Sequence, residues 1–330
     1  MPPKRPLRLA AFALTCVTAA LGSSTASAQK TSNMPPRPHI TGISHVGYFV
    51  SDLPKALVFW HDLLGFDEYF SIKKTDSNDV RIAFLKINDR QHVELFNEPS
   101  THPPNMLSHV CFAVDDIEAM RKYLAANGIK VPAATGNKTR AGDYAFEITD
   151  PDGMLVEFVQ SLPTGAEAQA KGKFMPATRI ATHIYHTGFV VGNAQRSMDF
   201  YGKLLGFKET WRGGGDPKVL SWINMRVPDG EDYVEFMLYS KPPDNAASFG
   251  GKNHLALDVP DIAKATEILR ARAAATQYTK ELKITTGVNQ KRQMNLYDPD
   301  GTRVELMEPF TITGKPTPPS TAPPPPPAHD

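Results

Sequence analysis

The stretch ISHVGYFVSDLPKALVFWHDLLGF at residues 43–66 decides the fold, because it recurs without a gap as IYHTGFVVGNAQRSMDFYGKLLGF at residues 184–207. Working outward, HVELF in the first half matches YVEFM in the second, and the turn DPDG occurs at 150–153 and again at 298–301. Matches in the same order along both halves indicate an internal duplication. The sequence therefore predicts two similar domains, and each domain can be used to interpret the other.

Each half also contains two units of one design. HVGYFV at 45–50 resembles a strand, and Ser51 or Asp52 is suited to the N-cap of a helix that Gly65 would end. Between the cap and this glycine, apolar residues recur at helical spacing: Leu53, Ala56, Leu57, Trp60 and Leu64. Three strand candidates follow, and SHVCFAV then begins a second unit of the same order. The chain is predicted to hold four strand-helix-strand-strand-strand (βαβββ) modules in an α+β fold.

Two histidines and two glutamates recur in both halves. The two quartets are His45, Glu94, His109 and Glu157, and His186, Glu235, His254 and Glu305. The first His and the first Glu are 49 positions apart in each copy, and the second pair are 48 and 51 apart. Two imidazoles and two carboxylates form a ligand set that suits a divalent cation such as Zn, Ni, Fe(II), Mn or Co. The repetition therefore favours a metal site over eight unrelated structural residues.

The order of the elements, the Leu-Gly-Phe after the helix and the DPDG turn before a Val-Glu strand resemble the vicinal oxygen chelate (VOC) superfamily. That family includes glyoxalases, epimerases, extradiol dioxygenases and bleomycin-resistance proteins. The resemblance covers about residues 40–160 and 181–310. It implies two tandem glyoxalase-like domains, with mixed, curled sheets around metal clefts and the two quartets as ligands.

The resemblance also implies a chemistry. In this family the metal chelates two adjacent oxygens of a substrate and stabilises developing charge as a Lewis acid. A carboxylate ligand can then act as the general base, for which Glu157 and Glu305 are the candidates. We therefore expect a metal-dependent lyase or isomerase that acts on a small oxygen-chelating substrate of the hydroxy- or oxo-acid type.

Departures from two branches of the family narrow this expectation. Extradiol dioxygenases carry a catalytic His where this chain has Glu94 and Glu235, and their tyrosine ten residues before the last Glu corresponds to Glu147 and Asn295 here. These differences weaken the case for a ring-cleaving dioxygenase. That function stays an alternative, as does small-molecule sequestration of the resistance-protein type.

The residues that contact glutathione in glyoxalases are also missing. The family uses an Arg four positions after the first His and an Asn four after the first Glu. Phe49 and Glu98 occupy these positions in the first half, and Val190 and Tyr239 occupy them in the second. Glutathione is therefore not an expected partner.

Both ends of the chain differ from the globular part. Residues 1–28 combine basic residues, a short apolar run and the small-residue site Ala-Ser-Ala, which predicts a cleaved signal peptide and an exported, periplasmic or secreted protein without a membrane anchor. Cleavage would lower the Lys and Arg count from 36 to 33, against 35 Asp and Glu, and no basic tract indicates nucleic-acid binding. The predicted domains span 40–162 and 181–310.

The segments outside these two domains have their own composition. The linker at 163–180 is polar, and residues 314–330 are dominated by proline, which predicts a disordered or polyproline tail.

The sequence leaves the pairing of the modules open. Each site could form within one half, or the halves could exchange modules so that His45 and Glu94 join His254 and Glu305. Four other histidines have no counterpart in the opposite half and are interpreted as surface or structural residues: His39, His92, His102 and His183. Four aromatic residues are interpreted as core packing: Tyr48, Phe96, Trp222 and Tyr239.

Overall fold

The computed structural model describes residues 34–136 and 138–329. From Pro35 onward the chain forms one compact unit. The signal peptide predicted at residues 1–28 lies outside the described residues. Within the described ranges, no helix combines the length and the apolar character needed to cross a membrane.

The first half forms one mixed sheet of seven strands. They are β1 (Ile40–Phe49), β2 (Glu68–Lys73), β3 (Val80–Asn88), β4 (Gln91–Phe96), β5 (Leu107–Val114), β6 (Tyr144–Thr149) and β7 (Leu155–Gln160). Their spatial order is β2-β3-β4-β1-β5-β7-β6, with β1 parallel to β4 and β5 parallel to β7. The helices are α1 (Leu53–Leu57), continued by a π-helical stretch (Val58–Leu63), then α2 (Ile117–Ala126) and, after the sheet, α3 (Ala166–Gln169).

The second half repeats this plan with eight strands. They are β8 (Ile184–Val191), β9 (Lys208–Gly213), β10 (Trp222–Arg226), β11 (Tyr233–Leu238), β12 (His254–Asp258), β13 (Thr285–Thr286), β14 (Lys291–Tyr297) and β15 (Arg303–Thr311). Their order is β13-β14-β15-β12-β8-β11-β10-β9. The helices are α4 (Ala194–Ser197), continued by a π-helical stretch (Met198–Leu204), then α5 (Ala246–Lys252) and α6 (Ile262–Thr276).

The predicted α+β fold of two tandem, glyoxalase-like domains is confirmed, with one correction in the second module. Three strands are expected after its helix α2, but only β6 and β7 follow it. No described residue between α2 and β6 belongs to a strand. The corresponding strand of the fourth module, β13, is two residues long. The third strand after these helices is therefore vestigial in one half and lacking in the described part of the other.

Local sequence fixes the ends of the first helix as predicted. The Asp52 carboxylate accepts a hydrogen bond from the Lys55 backbone N–H (3.1 Å), which caps the helix at its start. Gly65, at φ +83°, takes the left-handed conformation that ends it. The chain then turns directly into the next strand of the sheet.

Strand alternation puts the glutamates opposite the core. On β7, Val156 and Phe158 are fully buried in the hydrophobic core, so Glu157 between them faces the other side of the sheet. The pattern around Glu305 on β15 is the same. One face of each sheet thus packs against helices, and the other is left to line a cleft.

A polar network joins the halves where β1 and β8 approach each other. The buried Asp232 carboxylate accepts hydrogen bonds from Ile43 N (2.8 Å) and Gln91 Nε2 (3.2 Å), and it pairs with His183 Nε2 (2.7 Å). Gln91 Oε1 in turn accepts from Ile184 N at 2.8 Å. Gln91 and Asp232 occupy matching positions of the two repeats, so the junction is built around the internal symmetry.

The proline-rich tail is seated on the second sheet. It has neither helix nor strand from residue 315 to 329, but Thr317 Oγ1 donates to Asn289 O (2.6 Å), Ser320 N donates to Arg212 O (2.9 Å), and Leu220 N donates to Pro323 O (3.0 Å). Asn289 precedes β14 and Arg212 lies on β9, at opposite edges of the sheet. The tail therefore crosses from one edge of the sheet to the other, and its description as a disordered or polyproline segment stays a prediction.

The linker makes an equivalent crossing over the first sheet. Ala166 N donates to Ala141 O (2.7 Å) near the β6 edge, and the Lys86 ammonium on β3 donates to Ala170 O. Gly172 N also donates to the Asp89 carboxylate at 2.8 Å. Each domain is thus followed by a segment that connects the two sides of its own sheet.

Candidate metal centres

Four adjacent strands bring the first quartet together. The residues are distributed one to a strand: His45 on β1, Glu94 on β4, His109 on β5 and Glu157 on β7. The two Nε2 atoms of the imidazoles are 3.0 Å apart, and Glu157 Oε2 lies 2.9 Å from that of His45 and 3.2 Å from that of His109. The Glu94 oxygens are 3.7 and 3.8 Å from the same nitrogens.

The second quartet has the same arrangement. It comprises His186 on β8, Glu235 on β11, His254 on β12 and Glu305 on β15. The imidazole Nε2 atoms are again 3.0 Å apart, and His254 Nε2 lies 3.4 Å from Glu305 Oε2 and 3.6 Å from Glu235 Oε2. Each quartet is complete within its own half, so the structure brings together residues of neighbouring modules and not those of the exchanged arrangement.

A glycine in each half makes room for the second histidine. Gly47 lies opposite His109 in the β1–β5 pairing, and Gly188 lies opposite His254 in the β8–β12 pairing. A Cβ atom on Gly47 would come within 2.5 Å of His109 Cε1, and one on Gly188 would overlap His254 still more. The imidazoles lie across these glycines, which fixes where their Nε2 atoms point.

The donor atoms fit a divalent cation. Four ligand atoms at about 2.1 Å from a tetrahedral metal would be separated by about 3.4 Å, close to the observed spacings. His254 Nδ1 lies 2.7 Å from the Lys252 carbonyl oxygen. Because a carbonyl only accepts, Nδ1 carries the proton and Nε2 presents its lone pair to the quartet. Both halves thus carry suitable side chains, as predicted, and the choice among Zn, Ni, Fe(II), Mn and Co stays a prediction.

Burial sets the charge state of the first quartet. Burial raises the pKa of Glu94 despite the nearby histidines. Burial also opposes ionisation of Glu157, but hydrogen bonds from His109 and His45 outweigh it and hold the pKa of Glu157 well below its usual value. The pKa of His109 rises to about 9 because its hydrogen bond to Glu157 and the charge of Glu157 overcome desolvation. Without a metal, the quartet therefore keeps a proton that a cation would displace.

In the second quartet, as in the first, the pKa of one glutamate is raised and that of the other is lowered. Burial, then the charge of Glu305, raises the pKa of Glu235 to about 8. Burial opposes ionisation of Glu305, but its contact with the His254 imidazole and the charge of Arg303 outweigh burial and lower the pKa of Glu305 to about 2. Burial lowers the pKa of His254 and of His186. Two buried carboxylates beside neutral imidazoles form a pair that a divalent cation would compensate.

His92 is interpreted from the sequence as a surface or structural residue, and the structure excludes the surface alternative. Its side chain is buried and stacks on His45 with ring centroids 4.5 Å apart, and its Nε2 lies 3.5 Å from Glu94 Oε1. Neither ring nitrogen has a hydrogen-bond partner, and burial lowers its pKa to about 3. The second half has Tyr233 at this position, stacked on His186 at the same distance, so comparison of the halves concealed it. Its spacing of two from Glu94 on one strand was the available signal.

The other histidines and aromatic residues named from the sequence lie in different environments. His39 and His102 are exposed, and His183 belongs to the junction between the halves. Tyr48 is fully buried in the core, as interpreted from the sequence. Phe96 and Trp222 instead line the cavities next to the quartets.

The cavities beside the quartets differ in size and charge. The first has a volume of about 180 Å³ and is lined by three further carboxylates, those of Asp143, Glu147 and Glu167. The second has a volume of about 410 Å³ and is lined by Arg303 and Lys252, with the indoles of Trp211 and Trp222. These residues differ between the halves, so the internal repeat gives no sign of them.

Comparison with known proteins places the chain among similar folds. Residues 42–158 and 183–306 match the family model of the Glyoxalase/Bleomycin resistance protein/Dioxygenase superfamily. Glyoxalase I of Saccharomyces cerevisiae is 23% identical over 230 residues, which cover 64% of this chain and 66% of that protein, just under two thirds of its length.

Two solved structures are similar over most of the chain. The Mn(II)-bound glyoxalase from Novosphingobium aromaticivorans has a TM-score of 0.62 and 20% identity, covering 82% of this chain and 83% of that chain. Homoprotocatechuate 2,3-dioxygenase from Brevibacterium fuscum has a TM-score of 0.62 and 18% identity, covering 87% of this chain and 86% of that chain. At these identities the likeness supports the fold and leaves the reaction to be argued from the site.

Proposed function

Because the chain belongs to the Glyoxalase/Bleomycin resistance protein/Dioxygenase superfamily, we propose that it is a divalent-metal-dependent, glyoxalase-like lyase or isomerase. Its substrate would be a small hydroxy or oxo acid that presents two neighbouring oxygens. The observation that carries the proposal is the pair of buried quartets, each with two imidazole nitrogens 3.0 Å apart and two carboxylates facing them.

The side chains of each quartet have separate tasks in this proposal. A bound divalent cation supplies Lewis acidity toward the two substrate oxygens. The histidines hold it through Nε2, and the Nδ1–H of His254 is kept in place by the Lys252 carbonyl. Glu157 and Glu305 are the proposed general bases, because a ligand carboxylate, or one released from the cation, has an oxygen that can accept a proton from a substrate carbon.

The setting of the reaction is part of the proposal. The composition of residues 1–28 supports export to the periplasm or medium, with a free small molecule as the partner. Phe49 and Val190 stand where glutathione-dependent relatives place a cation, which supports a substrate without glutathione. A ring-cleaving dioxygenase and a sequestration protein are the competing functions, and both differ from the proposal in what happens to the bound molecule.

The first test is the metal content of the mature protein and of His109→Ala and His254→Ala variants, measured by inductively coupled plasma mass spectrometry. We expect about two equivalents in the parent protein and about one in each variant, because each histidine supplies one of four ligand atoms. No metal after reconstitution with Zn, Ni, Mn and Fe(II) would refute the proposal.

Turnover separates the competing functions. The metal-loaded protein would be incubated in deuterated water with hydroxy and oxo acids and followed by proton NMR. Exchange with deuterium of the C–H proton on the hydroxyl-bearing carbon, or on the carbon next to the carbonyl, removes its signal. This loss supports lyase or isomerase chemistry. Oxygen consumption with catechols would support ring cleavage, and stoichiometric binding without any conversion would support sequestration.

A further inference from the structure

The two metal-site cavities differ at positions that the repeat makes equivalent. Arg303 neighbours His254 in the parallel β12–β15 pairing, and the corresponding neighbour of His109 is Leu155. Two residues before His254 stands Lys252, where the first half has Leu107. The second cavity therefore has two cations beside its quartet where the first half has two leucines.

Arg303 acts on Glu305 through its charge but forms no direct ion pair with it. In the described part of the chain, no carboxylate oxygen lies within 4 Å of its guanidinium, and its one side-chain hydrogen bond, from Nη1 to Asn295 Oδ1, is long at 3.4 Å. Its Nε is buried without a hydrogen-bond partner. A guanidinium that lines a cavity with donors to spare is suited to an anion with two oxygens.

Lys252 and the indoles complete this side of the cavity. The Lys252 ammonium makes no ion pair among the described residues, and it lines the same 410 Å³ space as Arg303. Trp211 and Trp222 supply flat apolar walls to that space. The lining thus offers cations for a charged group and aromatic surface for an apolar body.

The first cavity has the opposite character. Asp143, Glu147 and Glu167 line it beside the quartet, and Arg140 adds a cationic side chain to the histidines in its lining. Its volume of about 180 Å³ is less than half that of the second cavity. Burial raises the pKa of all three carboxyl groups, that of Glu167 to about 7, but those that are ionised repel an organic anion, and the space is small.

We propose that the second cavity binds a small carboxylate, with Arg303 and Lys252 holding the carboxylate group and the tryptophans contacting its apolar part, whereas the first cavity does not bind it. The proposal rests on the function proposed above and assigns its substrate class to one half. Arg303 and Lys252 are specificity-determining residues in it, since neither belongs to the quartet.

The test is calorimetric titration of the zinc-loaded full-length mature protein with mandelate, a hydroxy acid with an aromatic body, and with uncharged mandelamide. We expect about one mandelate to bind per chain. Arg303→Gln should weaken mandelate binding by about tenfold to a hundredfold and Lys252→Gln by less, because a charge-assisted hydrogen bond is lost in each. Arg303→Lys should retain more affinity than Arg303→Gln, and the control Leu155→Gln should bind mandelate like the parent.

Three outcomes would overturn the assignment. In the first, the parent holds metal but binds no mandelate. In the second, Arg303→Gln binds mandelate as tightly as the parent does. In the third, Arg303→Gln loses as much affinity for mandelamide as for mandelate. Metal content is measured in every sample. Loss of zinc in Arg303→Gln would show that Arg303 only compensates Glu305 and would also contradict the proposal. A parent that holds none of Zn, Ni, Mn and Fe(II) after reconstitution would refute the proposed function itself.

Discussion

At the scale of single residues, Gly47 and Gly188 decide where the second histidine of each quartet lies. Neither is needed for a turn, since each lies within a strand. Each is required because the imidazole of His109 or His254 occupies the place of a side chain. The position of this imidazole thus depends on a residue without a side chain on the neighbouring strand.

This dependence gives a prediction for Gly188→Ala. The added methyl must displace the His254 ring, so the variant should lose about one metal equivalent and about 1–3 kcal/mol of unfolding free energy through overpacking. Metal analysis and urea unfolding measure the two effects. Gly251→Ala is the control, because a Cβ there meets no atom within 4 Å. Full metal content in Gly188→Ala would show that the ring is not held as described.

At the scale of elements, the linker and the tail act alike, although their sequences are unrelated. Each leaves the last strand of its domain and is hydrogen-bonded to the far side of the same sheet. The tail does so with a chain rich in proline, which has little conformational entropy to lose and offers carbonyl acceptors such as that of Pro323. This explains how a segment with few apolar residues is seated on the fold.

A truncation after Thr313 tests this role of the tail. Leu220 N would lose its acceptor, so hydrogen exchange at 219–222 should become faster and the unfolding free energy should fall by about 1–2 kcal/mol. Mass spectrometry of exchanged peptides gives the local change. The control is truncation after Pro323, which keeps the acceptor. Equal exchange in all three proteins would show that the tail does not hold the sheet.

At the scale of the whole molecule, Asp232 connects the two halves. Its carboxylate receives donors from the first half and pairs with His183, and this hydrogen bond raises the pKa of His183 even though burial opposes the shift. A raised pKa in the folded state means stabilisation that is complete below pH 6.5, the ordinary value, and is lost as the pH rises through the folded value. The junction should therefore weaken under alkaline conditions.

The pH prediction compares the parent with His183→Gln in urea unfolding from pH 6 upward. The difference in unfolding free energy between them should shrink by about 1 kcal/mol or less as the pH rises, because the pair is partly exposed. Asp232→Asn should cost more, about 1–3 kcal/mol, since it also weakens a buried acceptor of two N–H groups. A difference independent of pH would rule out the contribution of His183.

The sequence by itself determined the duplication, the α+β modules, the helix caps and the two quartets, because these follow from local periodicity, turn chemistry and repetition. Only the tertiary structure decided that each quartet closes within one half, that His92 joins the first centre, that the cavities differ in charge, and that the tail is seated. The physical reason is strand pairing: β1 lies between β4 and β5 through contacts that are distant along the chain. Which side chains share a cleft depends on that register, and neighbouring residues in the sequence carry no record of it.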